Sequence, residues 1–231
     1  MISRKISIYF AFFLLLVSVQ GKPIQTIGQG NDQSTIVAWN PTEDKLAIGY
    51  NNGNIRVLDI ASGQFIQTLS THTRRIEALA WSSDGSKLAS GGFDQTVNIW
   101  DVSSGALLQS IQNLNGIVAQ LLWYPEDQNL FILSARESST ITVWDTINHI
   151  GIQELVIGSY VSASFNHTNS QIALAGPSIL LLDSNSLQEI SYWQETEPPG
   201  SGFDMGALAW SNNGLIAVGS LNGSIRIINP D

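Results

Sequence analysis

The chain has 231 residues, enough for one sizeable core, and 43% of them are hydrophobic against 13% charged, which excludes a disordered polymer. A formal net charge of -9 excludes a nucleic-acid backbone as the natural partner, because phosphates are held by cations. There is no cysteine, so disulfides, thiolate metal sites and cysteine nucleophiles are excluded as well.

Arg4 and Lys5 precede an apolar run, Ile6 to Val19, that ends at Gln20, Gly21 and Lys22. A run of about fourteen residues is short for a bilayer, which needs roughly twenty, so residues 1–21 read as a secretory signal. An uncleaved N-terminal anchor is the alternative, and beyond it no membrane contact is expected. No cysteine follows the run to carry a lipid, so export and release are expected. Export would give meaning to two Asn-x-Ser/Thr sequons, Asn166-His167-Thr168 and Asn222-Gly223-Ser224, although chance accounts for both more simply.

From residue 22 onward the chain is periodic. Trp39, Trp81, Trp123 and Phe165 are spaced by 42 residues, and Trp210 follows after 45. Each closes a short apolar segment: TIVAW, IEALAW, VAQLLW, VSASF and GALAW. Asp59, Asp101, Asp145 and Asp183 keep the same beat at the ends of IRVLD, VNIWD, ITVWD and ILLLD, and Asn229 ends the fifth copy, IRIIN. Between the two series each copy has a polar turn and another apolar run, and a further β-type segment follows each Asp, as in GQFIQTL and GALLQSI. Turns rich in Gly, Asn, Asp, Ser and Pro between such segments are how antiparallel hairpins are written, and Asn52-Gly53 and Asn222-Gly223 suit tight turns with positive φ. Four strands in about 42 residues describe one propeller blade, so the expectation is an all-β propeller of about five four-stranded antiparallel blades. The repeat cores are 35–59, 76–101, 117–145, 160–183 and 206–229.

The second copy, His72 to Asp101, reads HTRRIEALAWSSDGSKLASGGFDQTVNIWD and resembles the WD-repeat β-propeller family. The resemblance covers essentially all of residues 22–231. It implies a structural hydrogen-bonded tetrad whose matching residues are His72, Ser90, Asp94 and Trp100. The other copies depart from the motif, with Leu58, Leu182 and Ile228 in the place of Trp100. Around Lys22 to Thr26 the sequence GKPIQTIGQG matches GQFIQTLSTH 42 residues later, while the fifth copy stops after its third strand. Residues 23–27 are therefore expected to close the last blade and remove its exposed edge, with a truncated ring or two chains sharing strands as the alternatives.

His72, Ser90 and Asp94 are also the residue types of a hydrolase triad, but their register is that of the tetrad, so no catalytic residue is assigned. His72, His149 and His167 lack metal-ligand spacing, and Gly28 to Asp32 lacks the third glycine of a dinucleotide loop, so neither a metal nor a cofactor is expected. Glu195 and Glu197 sit in a Pro- and Gly-rich stretch, Gln194 to Gly206, that reads as a solvated loop. What remains is binding. The resemblance implies a rigid, non-enzymatic scaffold that displays loops to a protein or peptide partner, and the rim positions it picks out are Phe93, Arg74 and Arg75, with Asn51, Arg136 and Glu137 in related copies. The alternative is a secreted carbohydrate-binding or hydrolytic propeller.

Overall fold

The computed structural model describes residues 15–19, 22–26, 32–166, 170–194, 205–220 and 223–230. Most of the predicted signal, residues 195–204 of the predicted 194–206 loop, the 28–31 loop and part of both sequons lie outside these residues. The chain divides into two compact units, residues 1–33 and 34–231.

In the first unit, β1 (Leu15–Val19) and β2 (Lys22–Thr26) form a two-stranded antiparallel sheet, with Leu15 opposite Thr26 and Val19 opposite Lys22. This corrects the expected closure, because residues 22–26 pair with their immediate neighbour in sequence and not with the fifth repeat. Leu15–Val19 offers a β-prone partner two residues away, and closing so short a loop costs little chain entropy.

The second unit contains five antiparallel sheets in chain order among the described residues. The first is built from β3 (Ser34–Trp39), β4 (Lys45–Tyr50), β5 (Ile55–Asp59) and β6 (Gln64–Leu69), and the second from β7 (Ile76–Trp81), β8 (Lys87–Gly92), β9 (Val97–Asp101) and β10 (Ala106–Ile111). The third has β11 (Ile117–Trp123), β12 (Asn129–Ala135), β13 (Ser139–Asp145) and β14 (Ile150–Ile157). The fourth has β15 (Ser162–Asn166), β16 (Gln171–Ala175), β17 (Ser178–Asp183) and β18 (Glu189–Gln194). The fifth has three strands, β19 (Met205–Trp210), β20 (Ile216–Ser220) and β21 (Ile225–Ile228). Every sheet is a meander, so turns after first and third strands lie at one end and turns after second and fourth strands at the other.

Burial follows strand position. Val97, Asn98, Ile99 and Trp100 of β9 are all buried, as required of a strand with sheets packed on both faces. The fourth strands β6 and β10 are mostly exposed, which places them on the outer rim. The first strands carry a register shift in four of the five sheets, for example between Ile76 and Ala78. The bulge re-phases the alternation, so that Ile76, Leu79 and Trp81 share one cluster while Ala78 joins the next. Among the described residues the core is thus four clusters, one between each pair of consecutive sheets. Ile55 and Val57 meet Leu79 and Trp81, Val97 and Ile99 meet Leu121 and Trp123, Ile141 and Val143 meet Phe165, and Ile179 and Leu181 meet Leu208 and Trp210.

Candidate functional site

The second sheet holds a continuous polar chain through its interior. Asp94 Oδ2 lies 2.8 Å from His72 Nδ1, His72 Nε2 lies 2.8 Å from Ser90 Oγ, and Trp100 Nε1 donates to the same oxygen at 2.9 Å. With Nδ1–H given to the carboxylate, Nε2 accepts the Ser90 proton and the Ser90 oxygen accepts the indole N–H, so every buried group is satisfied. Thr73 N and Thr96 Oγ1 also donate to Asp94. Burial raises the Asp94 pKa, but the adjacent His72 and these hydrogen bonds outweigh it and hold the carboxyl below its ordinary value. Ser90 is completely buried and the His72 side chain meets no solvent. An acyl substrate has no path to this hydroxyl.

The residues flanking this chain reach the end of the sheet. Arg75 stacks its guanidinium over the Phe93 ring, 5.6 Å from the centroid, and its Nε lies 2.9 Å from Glu77 Oε2. Phe93 is half-buried, its backbone N–H donating to Arg75 O at 3.0 Å, while Arg74 and Arg75 are exposed. Asn51, Arg136 and Glu137 are exposed in the corresponding turns of the first and third sheets. Gly53 fixes the neighbouring turn: its φ is +87°, and a Cβ there would lie 2.4 Å from His72 O. The opposite end of the first strands lines a cavity of about 560 Å³ whose walls include Ala38, Ala80, Leu122 and Ser164. Trp81 and Trp123 border it, but both are buried and their ring nitrogens are committed to Ala38 O and Ala80 O at 3.0 Å each.

The model of the IFT140 first beta-propeller family matches residues 18–122. Among solved structures, the Cps50 (Swd1) beta-propeller domain of Myceliophteria thermophila superposes with a TM-score of 0.72 at 16% identity, covering 85% of this chain and 66% of that one. No curated protein matches the chain. The chain has the β-propeller fold. It spans about two thirds of that solved domain.

Among the described residues of this propeller, only blade two carries the full polar chain. In blade three Trp144 turns away from Ser134 and donates to Gln109 Oε1 of blade two at 3.1 Å, while Ser134 Oγ donates to Thr140 O. Leu58 and Leu182 are simply buried. Two recurring devices were not read from the sequence. In the first four blades the Asp that ends the third strand caps the following turn: Asp101 Oδ1 accepts Ser104 N at 2.8 Å, Asp145 and Asp183 accept Asn148 N and Ser186 N at the same distance, and Asp59 accepts Ser62 N at 2.7 Å. The hydroxyls of Ser104 and Ser103 and the Ser104 N–H lower the Asp101 pKa to about 2. The signal was available as Asp followed three residues later by Ser or Asn. Gln67 and Gln153 on the outer strands donate to Ser103 O and Asn185 O of the next blade, and Gln109 donates to Thr146 O. Their spacings of 42 and 44 residues were the signal there.

Proposed function

We propose that this WD-repeat propeller is a non-catalytic scaffold, exported from the cytoplasm, that captures a protein or peptide partner on the end bearing Phe93, Arg74 and Arg75. The observation that carries the reading is the Arg75–Phe93 stack at the rim of the blade with the fully satisfied polar chain. An aromatic ring and guanidinium groups held by a rigid support are the residue types that dominate interface energy. The enclosure of Ser90 argues against the hydrolase reading of the same His, Ser and Asp. The charged start and apolar run of residues 4–19 support export.

Affinity capture from the exported fraction tests both parts. The wild-type chain is expected to begin near Lys22 after secretion and to enrich a defined partner, while Phe93→Ala with Arg75→Ala loses that enrichment without loss of fold. Equal capture by the double variant would discard this surface, and retention of the intact chain inside the cell would discard export. Turnover of an ester or glycoside panel that survives purification would replace the scaffold reading with the hydrolytic one.

A further inference from the structure

The cavity at the end opposite Phe93 is walled by the first strands of four blades and has a volume of about 560 Å³. The part of its apolar wall that meets water includes Trp39 and Pro41, both exposed, and Ala80 and Leu122, both half-buried. Trp39 is 61% exposed, whereas Trp81 and Trp123 are at most 9% exposed and bonded to the preceding blade, so of these three indoles only Trp39 is open to a ligand. Gln120 lines the same cavity with a side-chain amide that bonds no described residue. Asp127 accepts Ser83 N, Ser83 Oγ and Asp84 N at 2.8, 2.5 and 3.3 Å, all of them neutral donors, so its charge has no counterion there.

The turns that frame the cavity are acidic. Those after the first strands of blades one and three, whose Pro41 and Asp127 border it, also carry Asp44 and Glu126, both exposed. Asp84 occupies the same turn in blade two, and the aspartates that end the third strands stand at this end as well. Hydrogen bonds from their turns lower the pKa values of Asp59, Asp101, Asp145 and Asp183, so all four stay charged at neutral pH. Among the described residues the lysines here are Lys45, ion-paired with Glu43, and Lys87, 5.8 Å from the centroid of the Trp123 ring. Arg74, Arg75 and Arg136 lie at the other end, so the two ends of the molecule differ in sign.

We infer that this cavity is a docking site for a cationic peptide segment, which seats one aromatic or large aliphatic side chain against Trp39, Ala80 and Leu122 and sets lysine or arginine beside it against the acidic turns. Charge complementarity selects the occupant: the field at this end attracts and orients a cationic segment, and it repels nucleic acid and anionic membrane. The apolar wall supplies the contact area, the Gln120 amide can bond the peptide backbone, and the volume lies within the range of about 300–1,000 Å³ usual for ligand sites. This site is separate from the partner surface proposed on Phe93, and neither reading depends on the other.

The test selects a randomised peptide library on the immobilised full chain and measures the Kd of a selected synthetic peptide by titration calorimetry. The enriched sequences are expected to place lysine or arginine on both sides of an aromatic or large aliphatic residue, and the peptide to shift the tryptophan emission of the wild-type chain. Trp39→Ala, which removes part of the apolar wall, and Asp44→Lys with Glu126→Lys, which reverses two exposed charges, should each weaken binding by about tenfold or more. Raising the salt should weaken it in the wild-type chain as well. Both variants alter exposed side chains, and circular dichroism checks that each is folded. A selection that enriches no cationic sequence overturns the inference, as does a selected peptide that binds the folded variants as tightly as the wild-type chain. Sedimentation that shows the wild-type chain self-associating, with the association lost in Asp44→Lys with Glu126→Lys, would give the cavity to a second copy and overturn it too.

Discussion

At the scale of single residues, the polar chain of blade two works only as a complete set. Ser90→Ala leaves the Trp100 indole N–H and His72 Nε2 without a partner in a fully buried position. An unsatisfied buried group costs about 1–3 kcal/mol, so the melting temperature of this variant should fall by several degrees in a calorimetric scan. His149 shows the opposite case. It occupies the turn position held by Gly63 and Gly105 in blades one and two, at φ 60°, and its side chain is exposed. His149→Gly removes left-handed strain at little other cost and should raise stability by up to about 1 kcal/mol, measured by denaturant titration. The capping carboxylates set the acid limit. Asp59, Asp94, Asp101, Asp145 and Asp183 all have lowered pKa values in the folded chain. The unfolded chain therefore binds more protons between about pH 4 and 2, and the stability these groups contribute is present above pH 4 and lost as pH falls toward the Asp101 value of about 2. Thermal unfolding that is flat from pH 7 to 5 and declines steeply below 4 is the expected profile.

At the scale of strands and blades, what joins neighbours is a ladder of indole N–H bonds, and its one gap is bridged by another side chain. Blade four has Phe165 where the others have tryptophan, so it cannot donate. Tyr124 of blade three packs edge-on against Phe165, with ring centroids 4.9 Å apart, and gives its hydroxyl to Ser184 O at 2.7 Å. Burial, followed by Asp183 and Glu126, pushes that hydroxyl's pKa far up, so it stays a donor throughout the working pH range. Tyr124→Phe should cost about 1 kcal/mol and accelerate hydrogen exchange in β11 and β15 before it affects β7. The strands were legible in the sequence because tryptophan and aspartate recur on one period and each apolar run has the length of a strand. Tyr124 was not, because a bridge between blades depends on which side chain faces a substituted position, and the period records only positions. The pairing of β2 was misread for a related reason. IQTI and IQTL share a pattern, but a pattern names the kind of strand and not its neighbour, and β1 lies closer along the chain.

At the scale of the molecule, the described residues make four four-stranded blades and a three-stranded fifth, with Val37 and Trp39 of the first and Ile225 and Ile227 of the fifth exposed. Length and period indicated the number of blades, whereas the state of the end faces became visible only through the exposure of Trp39 and Ile225 set against their buried counterparts. The rim of blade two is a different surface, polar and aromatic, and partner binding there needs no change at the blade ends. The most direct measurement is the Kd of the captured partner for the purified wild-type chain, for Phe93→Ala with Arg75→Ala, and for Trp39→Ala. A scaffold that reads its partner at the rim loses at least about tenfold in affinity in the double variant, equivalent to about 1.4 kcal/mol, and keeps wild-type affinity in Trp39→Ala. Unchanged affinity in the double variant would contradict the account.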